Sequence, residues 1–155
     1  MSNQIKTKKV YLASGFFNQK QIDQVDRLEA LLDSYSWIDL ASPRRIFVCP
    51  PDADESVQKS TFEGNIKHLK EADFVIGNTQ DKDIGSIFEL GASYAFSVPI
   101  IYFCEGLPPK AKFNLMLARS GIKVCTSLEQ LEDYLDRVTI NNGELIYEPY
   151  NDLIE

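Results

Sequence analysis

Residues 73–103 read DFVIGNTQDKDIGSIFELGASYAFSVPIIYF, and the pattern of this segment indicates the fold class. Its two ends, residues 73–77 and 98–103, are short apolar runs of the kind that form strands buried on both faces of a sheet. Between them, residues 85–97 predict a helix. A strand, a helix and a second strand in this order predict two parallel strands joined by a crossover helix.

The same alternation extends along the rest of the chain. Further strands are predicted at residues 9–13, 45–49 and 122–125, and further helices at 19–34, at 55–70 and after Ser127. We therefore predict an α/β fold with a doubly wound, five-stranded parallel sheet flanked by helices on both faces, of flavodoxin-like or Rossmann-like type. We expect a single domain over residues 1–155. Residues 139–155 form its C-terminal arm, either as an extra strand or as a packed segment.

Composition limits the classes of partner. The 155 residues carry a formal net charge of −7, which disfavours a nucleic-acid polymer because such binding depends on Lys and Arg contacting phosphates. A neutral nucleoside is not disfavoured. No apolar run is long enough to cross a bilayer, so we expect no membrane contact. The basic N-terminus lacks a following apolar segment, which predicts no signal peptide.

The sequence gives little sign of a metal or cofactor. Cys49, Cys104 and Cys125 each lie in or at the end of an apolar run, which predicts buried thiols and a reducing, cytoplasmic compartment. The single histidine, His68, has no Cys or His cluster around it, so no metal site is expected. The motifs GxGxxG and GxxxxGK[ST] do not occur, which argues against dinucleotide or P-loop binding. We expect no cofactor.

Two carboxylates follow the predicted third strand, at the end where ligands bind in open α/β sheets. Asp83 lies in the loop and Glu89 in the first turns of the next helix, whose N-terminal end favours an ionised carboxylate. Gly85 permits a tight turn, and Gly91 is expected to let the helix pack closely on the sheet. Such a pair suits glycosyl chemistry, in which one carboxylate attacks the anomeric carbon and the other handles the leaving-group proton. Spacing alone favours a simpler alternative, in which Glu89 caps or pairs locally and Asp83 is solvated.

Three aromatic residues near the first strand are further candidates. Tyr11 interrupts an apolar strand, and a buried phenol needs a polar partner. That partner is a pocket carboxylate, unless Tyr11 is ordinary core. Phe16 and Phe17 follow the strand in the turn SGFFN. They either stack on a nucleobase or form a hydrophobic lid over the core.

Several blocks of sequence resemble the nucleoside 2-deoxyribosyltransferases. They are VYLASGFF (10–17), EADFVIGN (71–78), DIGSIFELGASYA (83–95) and FNLM (113–116), and they occur in the family's order across most of the chain. The DxGxxxELG pattern at 83–91 is the most specific of them. NLM is typical of the branch that acts on free deoxynucleosides.

The resemblance implies a ping-pong exchange of nucleobases on deoxyribose. By position, Glu89 resembles the nucleophile, Asp83 the residue that hydrogen-bonds and protonates the base, and Tyr11 the phenol that orients the nucleophile. The implied substrates are deoxynucleosides and free nucleobases.

The resemblance also implies substrate-binding residues. Phe16 and Phe17 occupy the aromatic positions of the base pocket, and Gly15 and Gly85 belong to the same predicted site. Asn114 resembles an asparagine that reaches into the neighbouring subunit's site and binds the sugar 5′-hydroxyl. A homo-oligomer built from dimers, either a tetramer or a hexamer, is therefore expected.

One position departs from the family pattern. Asn65 stands where the family often has an aspartate, and an amide cannot deliver a proton as a carboxylic acid does. Asn65 remains a predicted substrate-binding residue, but it raises the alternative of a nucleoside-sensing domain without catalysis. A second alternative is hydrolysis of deoxynucleoside 5′-monophosphates. The Ser14–Gly15 turn offers phosphate-binding groups for this reaction, whereas Asn114 and the acidic charge favour a neutral 5′-hydroxyl.

Overall fold

Five parallel strands form the centre of the molecule. The structure is a computed structural model and describes residues 4–155. The strands are β1 (Lys8–Ala13), β2 (Ile38–Ala41), β3 (Phe74–Asn78), β4 (Ile100–Phe103) and β5 (Lys123–Cys125). They lie in the order β2-β1-β3-β4-β5, and each neighbouring pair is parallel. The predicted α/β fold with a five-stranded parallel sheet is confirmed.

Helices cover both faces of this sheet. They are α1 (Gln19–Asp33), α2 (Pro43–Ile46), α3 (Glu55–Glu71), α4 (Ile84–Ala95), α5 (Leu115–Ser120) and α6 (Leu128–Ile140), and a 3₁₀ turn spans Gln80–Lys82. Apolar residues of α1 and α6 pack on one face of the sheet, and those of α3, α4 and α5 pack on the other. Five of the helices begin with a side chain that accepts a backbone N–H bond, as expected for Asn, Asp and Ser caps.

Close packing of α4 on the sheet occurs at Gly77 and not at Gly91. A Cβ atom built at Gly77 would lie 2.3 Å from Cδ2 of Leu90, so only glycine admits the helix at this distance. At Gly91 a Cβ would meet nothing within 4 Å, and the residue is exposed. The packing role predicted for Gly91 is therefore wrong.

The second strand is also not where the sequence predicted it. Residues 45–49 contain the end of α2 and an irregular segment, whereas β2 lies at Ile38–Ala41. This edge strand has only four residues, one of them the exposed Asp39, so its apolar pattern is weak. The apolar character of residues 46–49 has another cause, because the ring of Phe47 packs on α3. A Cβ at Gly64 would lie 2.2 Å from Cζ of Phe47.

The cysteines differ in exposure. Cys125 is buried and Cys104 is half-buried, but Cys49 is exposed. The prediction of three buried thiols is therefore wrong for Cys49, because this residue lies in the irregular segment and not in a strand.

The C-terminal tail packs as an irregular segment. Helix α6 continues to Ile140, two residues into the predicted arm. Beyond it, the Glu148 N–H donates to the Ile122 carbonyl at 2.9 Å, and Phe113 pairs with Ile154 in an isolated bridge. Of the two alternatives for the tail, a packed segment is observed. None of the helices within residues 4–155 combines the length and the apolar character needed to cross a membrane.

Candidate active site

A cavity of about 430 Å³ opens at the carboxyl ends of β1 and β3. Open α/β sheets bind ligands at this end. The residues after β1, the segment before α3, α3 itself and the start of α4 all contribute to its wall. The lining side chains and backbone belong to Ser14, Phe16, Phe17, Pro43, Arg44, Phe47, Val48, Cys49, Pro50, Thr61, Asn65, Asp83, Gly85 and Glu89.

Six of the nine predicted site residues line this cavity: Phe16, Phe17, Asn65, Asp83, Gly85 and Glu89. Tyr11 lies behind the wall and reaches it through Glu89. Gly15 is buried under Gln21, and a Cβ there would lie 2.9 Å from the Gln21 amide. Asn114 does not line the cavity of its own chain.

Tyr11 and Glu89 join the central strand to α4. Tyr11 lies in β1 and is fully buried, and its hydroxyl donates a hydrogen bond to Oε2 of Glu89. Burial, followed by the charge and hydrogen bond of Glu89, raises the pKa of Tyr11 well above its usual range. The phenol therefore stays protonated near neutral pH and acts as a donor toward the carboxylate.

The protonation of Glu89 is controlled by burial. Loss of solvent raises the pKa of Glu89 to about 7; the Tyr11 hydrogen bond lowers it, and the nearby Asp83 charge raises it further. Burial thus opposes the ionised form of Glu89 that the helix N-terminus is expected to favour. Glu89 is the sixth residue of α4, and the effect of the helix dipole is strongest in the first turn. The carboxyl group is divided between its two forms near pH 7.

Asp83 caps α4 and also faces the cavity. Its Oδ2 accepts hydrogen bonds from both the N–H and the hydroxyl of Ser86, each at 2.8 Å. Ser86 is buried, so this contact fixes the orientation of the Asp83 carboxylate. Local capping, the simpler alternative considered for Glu89, is thus performed by Asp83. The cap leaves Glu89 directed at Tyr11.

The two phenylalanines after β1 form a stacked pair at the cavity mouth. Their ring centroids lie 4.8 Å apart. Phe16 packs partly against the core, whereas the side chain of Phe17 is 75% exposed. The Phe17 N–H donates to Oε1 of Gln21 at 2.8 Å, which holds the turn against α1. Phe16 therefore matches the core-lid alternative better, and Phe17 presents a free aromatic face.

A buried polar network supports the same turn, and sequence reasoning did not identify it. Nδ2 of Asn78, at the end of β3, donates to Ser14 Oγ at 3.1 Å and to Gln24 Oε1 at 3.2 Å. All three residues are buried. Gln24 lies on the apolar face of α1. A polar residue on a buried face needs a hydrogen-bond partner, and this feature of the sequence could have predicted the network.

The segment before α3 contributes lining residues that the sequence reasoning did not single out, chiefly Arg44, Phe47 and Val48. They were missed because the second strand was placed over residues 45–49. Thr61 could have been predicted from the sequence as a lining residue, since it lies one helical turn before Asn65 on α3. Oδ1 of Asn65 is buried and lacks a hydrogen-bond partner among the described residues.

Asn114 begins α5 at the surface. Its Oδ1 accepts from the N–H groups of Met116 at 3.0 Å and Leu117 at 3.3 Å. Within residues 4–155, no group of three or more His, Cys, Asp or Glu side chains is arranged to hold a metal ion.

Solved structures with the same fold include enzymes that act on nucleosides and nucleotides. The 2-deoxyribosyltransferase of Bacillus psychrosaccharolyticus is 29% identical, with a TM-score of 0.75 over 92% of this chain and 99% of that chain. A conserved protein from Enterococcus faecalis is 17% identical, with a TM-score of 0.69 over 84% and 98%. The CMP N-glycosidase of Clostridium botulinum is 15% identical, with a TM-score of 0.57 over 86% and 99%, and shares the fold alone.

No curated relative matches the chain by sequence comparison. The model of one protein family, described as nucleoside 2-deoxyribosyltransferase, matches residues 10–124. This range covers most of the chain and includes Tyr11, Asp83 and Glu89. The chain belongs to the nucleoside 2-deoxyribosyltransferase family.

Proposed function

We propose that this protein exchanges the nucleobase of 2′-deoxynucleosides and that Glu89 carries the deoxyribose as a covalent intermediate. One observation carries the proposal: the Glu89 carboxyl group lies in a cavity wall, oriented by the Tyr11 hydroxyl and close to a second carboxylate, Asp83. A nucleophile, an orienting donor and a proton-handling group are the parts that glycosyl transfer requires.

The reaction runs in two balanced steps. In the first, an oxygen of ionised Glu89 bonds to C1′ while the C1′–N bond breaks, and the bonding electrons leave with the base. A proton neutralises the departing nitrogen. In the second, a nitrogen of the incoming base attacks C1′ and gives its N–H proton back to the group that protonated the leaving base, while the ester bond to Glu89 breaks and the carboxylate is restored. Donor and acceptor bases thus occupy the same cavity in turn.

Asp83 supplies the proton in this scheme. One of its oxygens is held by Ser86, which leaves the other available to a base in the cavity. Asn65, on the facing helix α3, is neutral and serves as a hydrogen-bonding residue only. Phe17 presents its exposed aromatic face to the base, and Phe16, stacked against it, lines the same cavity. A 2′-hydroxyl would crowd the nucleophile, so ribonucleosides are expected to be poor substrates.

Hydrolysis of deoxynucleoside 5′-monophosphates is the second candidate. Arg44 favours it, because this residue lines the cavity and guanidinium groups bind phosphate well. However, Arg44 already donates to Glu29 and Asp26, and Asp83 and Glu89 make the cavity acidic. This charge balance favours a neutral 5′-hydroxyl over a phosphate.

We also propose a homo-oligomer, a tetramer or hexamer built from dimers, in which Asn114 completes the neighbouring site. Asn114 is exposed and does not contribute to the cavity of its own chain. The surface beside it is apolar and includes the exposed side chains of Tyr94, Leu115 and Met116. Such a surface is typical of a subunit interface.

A cytoplasmic role in nucleoside salvage completes the proposal. Cys49, Cys104 and Cys125 are all free, and Cys49 is exposed. Free thiols suit a reducing compartment.

A base-exchange assay tests the function. The protein is incubated with deoxyinosine and adenine, and the products are separated by chromatography. New deoxyadenosine and free hypoxanthine are expected, together with a deoxyribosyl adduct on Glu89 in mass spectrometry of the enzyme without acceptor. Free deoxyribose as the sole sugar product would contradict transfer. Binding without turnover of any deoxynucleoside would favour the sensing alternative.

A further inference from the structure

Glu29 is a buried carboxylate remote from the proposed chemistry. It lies in α1, and its side chain is 4% exposed. It accepts hydrogen bonds from Ser42 Oγ at 2.6 Å and from Arg44 Nε at 2.9 Å and Nη2 at 2.5 Å, and it forms an ion pair with Arg45 at 3.0 Å. Burial acts to raise the pKa of Glu29, but the Arg44 and Ser42 hydrogen bonds and the two arginine charges outweigh it, and the pKa is lowered.

The donors to Glu29 all belong to residues 42–45, and Arg44 itself is part of the cavity wall. This segment leads directly into Phe47–Pro50, which continues the same wall. The backbone hydrogen bonds of the segment are local, from Arg45 N to the Ser42 carbonyl and from Phe47 N to the Pro43 carbonyl. They bend the chain but do not attach it to the sheet. The Glu29 carboxylate provides the buried attachment to α1. The exposed carboxylates of Asp26 and Asp33 on the same helix add ion pairs to Arg44 at 2.5 Å and to Arg45 at 2.9 Å.

We propose that Glu29 is a positioning residue that fixes the wall formed by residues 43–50 and thereby sets the affinity for the nucleoside. This inference rests on the proposed function. Glu29 touches neither the cavity nor Glu89, so its effect falls on substrate binding and not on the bond-breaking step. A bidentate arginine pair has strict geometry, which suits it to holding a loop in one position.

Glu29→Gln tests this role, since glutamine keeps the shape but removes the charge and turns an amide donor toward the guanidinium. We expect KM for deoxyinosine to rise about tenfold while kcat changes by less than about twofold. Ser42→Ala removes a single donor and provides a milder variant, with a KM increase of about threefold expected. The matched control is Glu105→Gln. It breaks the bidentate pair between the Glu105 carboxylate and the guanidinium of Arg27 in α1, whose two N–O distances are 2.6 and 2.9 Å. It should leave KM unchanged.

Limited trypsin digestion without substrate provides a readout independent of turnover. Freed from Glu29, the segment should be cleaved after Arg44 or Arg45 faster in Glu29→Gln than in the wild type or Glu105→Gln. Equal cleavage rates would overturn the attachment. Faster cleavage with unchanged KM, or a loss of kcat without a change in KM, would overturn the positioning role. A wild type without turnover would instead refute the proposed function while leaving the cleavage result valid.

Discussion

Two walls of the same cavity differ in how directly the sequence specifies them. The α4 wall, with Asp83 and Glu89, follows a buried central strand and begins at a capped helix. The opposite wall, residues 43–50, follows a short edge strand and has little regular structure. The first is specified by local pattern, whereas the second depends on a long-range attachment to Glu29. The chemistry is proposed for the regular wall, and the shape of the base pocket depends on the irregular one.

The greatest loss of activity is predicted for a substitution in the α4 wall. Glu89→Gln removes the proposed nucleophile without changing its size, so base exchange should fall by about 10⁴-fold. The chromatographic exchange assay measures this loss, and Glu63→Gln, an exposed acid on α3, is the control. Activity within tenfold of the wild type would remove Glu89 from the mechanism and, with it, the functional distinction between the two walls.

The same variant should change stability in a predictable direction. The folded-state pKa of Glu89, about 7, lies above its ordinary value of 4.5, so the folded protein holds this proton over a range where the unfolded chain has lost it. The stability contributed by this group therefore falls as pH rises from about 4.5 to 7. Glu89→Gln should abolish that part of the pH dependence. Thermal unfolding of both proteins at pH 5 and pH 8 measures the difference.

The next effect concerns Tyr11. For the wild type, kcat/KM should rise with pH through about 7, because the nucleophile must be ionised. Tyr11→Phe removes a hydrogen bond that lowers the pKa of Glu89, so the rise should move to higher pH. The rate at pH 7 should fall by about 10- to 100-fold, as expected for loss of a hydrogen bond to a charged group. A reduced rate with an unshifted pH profile would show that Tyr11 does not act through Glu89.

The physical differences between the two walls explain why some elements could be predicted from the sequence and others could not. The central strands and α4 were predictable because burial on both faces requires continuous apolar runs, as in Phe74–Asn78. The strand at Ile38–Ala41 was not, since an edge strand of four residues leaves a weak pattern. The apolar run at residues 46–49 predicts a strand. Its apolar character has a different cause, because the ring of Phe47 packs on α3 and lines the cavity. The raised pKa of Glu89 depends on tertiary burial, which sequence spacing does not report.

A smaller effect is expected from α3, on which the irregular wall rests. Gly64→Ala would place a methyl group 2.2 Å from Cζ of Phe47, which forces the ring and its loop to move. We expect KM for deoxyinosine to rise a few-fold and unfolding to become easier by about 1–3 kcal/mol. Gly91→Ala is the matched helix control, because nothing lies within 4 Å of its new Cβ. Equal KM values for the two variants would show that Phe47 does not shape the substrate site.

The smallest effect is expected at Cys49, which lies in the irregular wall and is exposed. Cys49→Ser changes one atom of a side chain that has no part in the proposed bond exchange, so kcat and KM should both stay within about twofold of the wild type. The size of the side chain at position 49 should matter more than the sulfur atom, because the bound base is proposed to lie against this wall. Alkylation of Cys49 with iodoacetamide should therefore raise KM while Cys49→Ser does not.

Protection of the thiol by deoxyinosine, followed by mass spectrometry, would show that the nucleoside lies against this wall. Alkylation at an unchanged rate in saturating substrate would move the binding site away from residues 43–50 and leave the α4 wall as the part of the cavity that the nucleoside contacts.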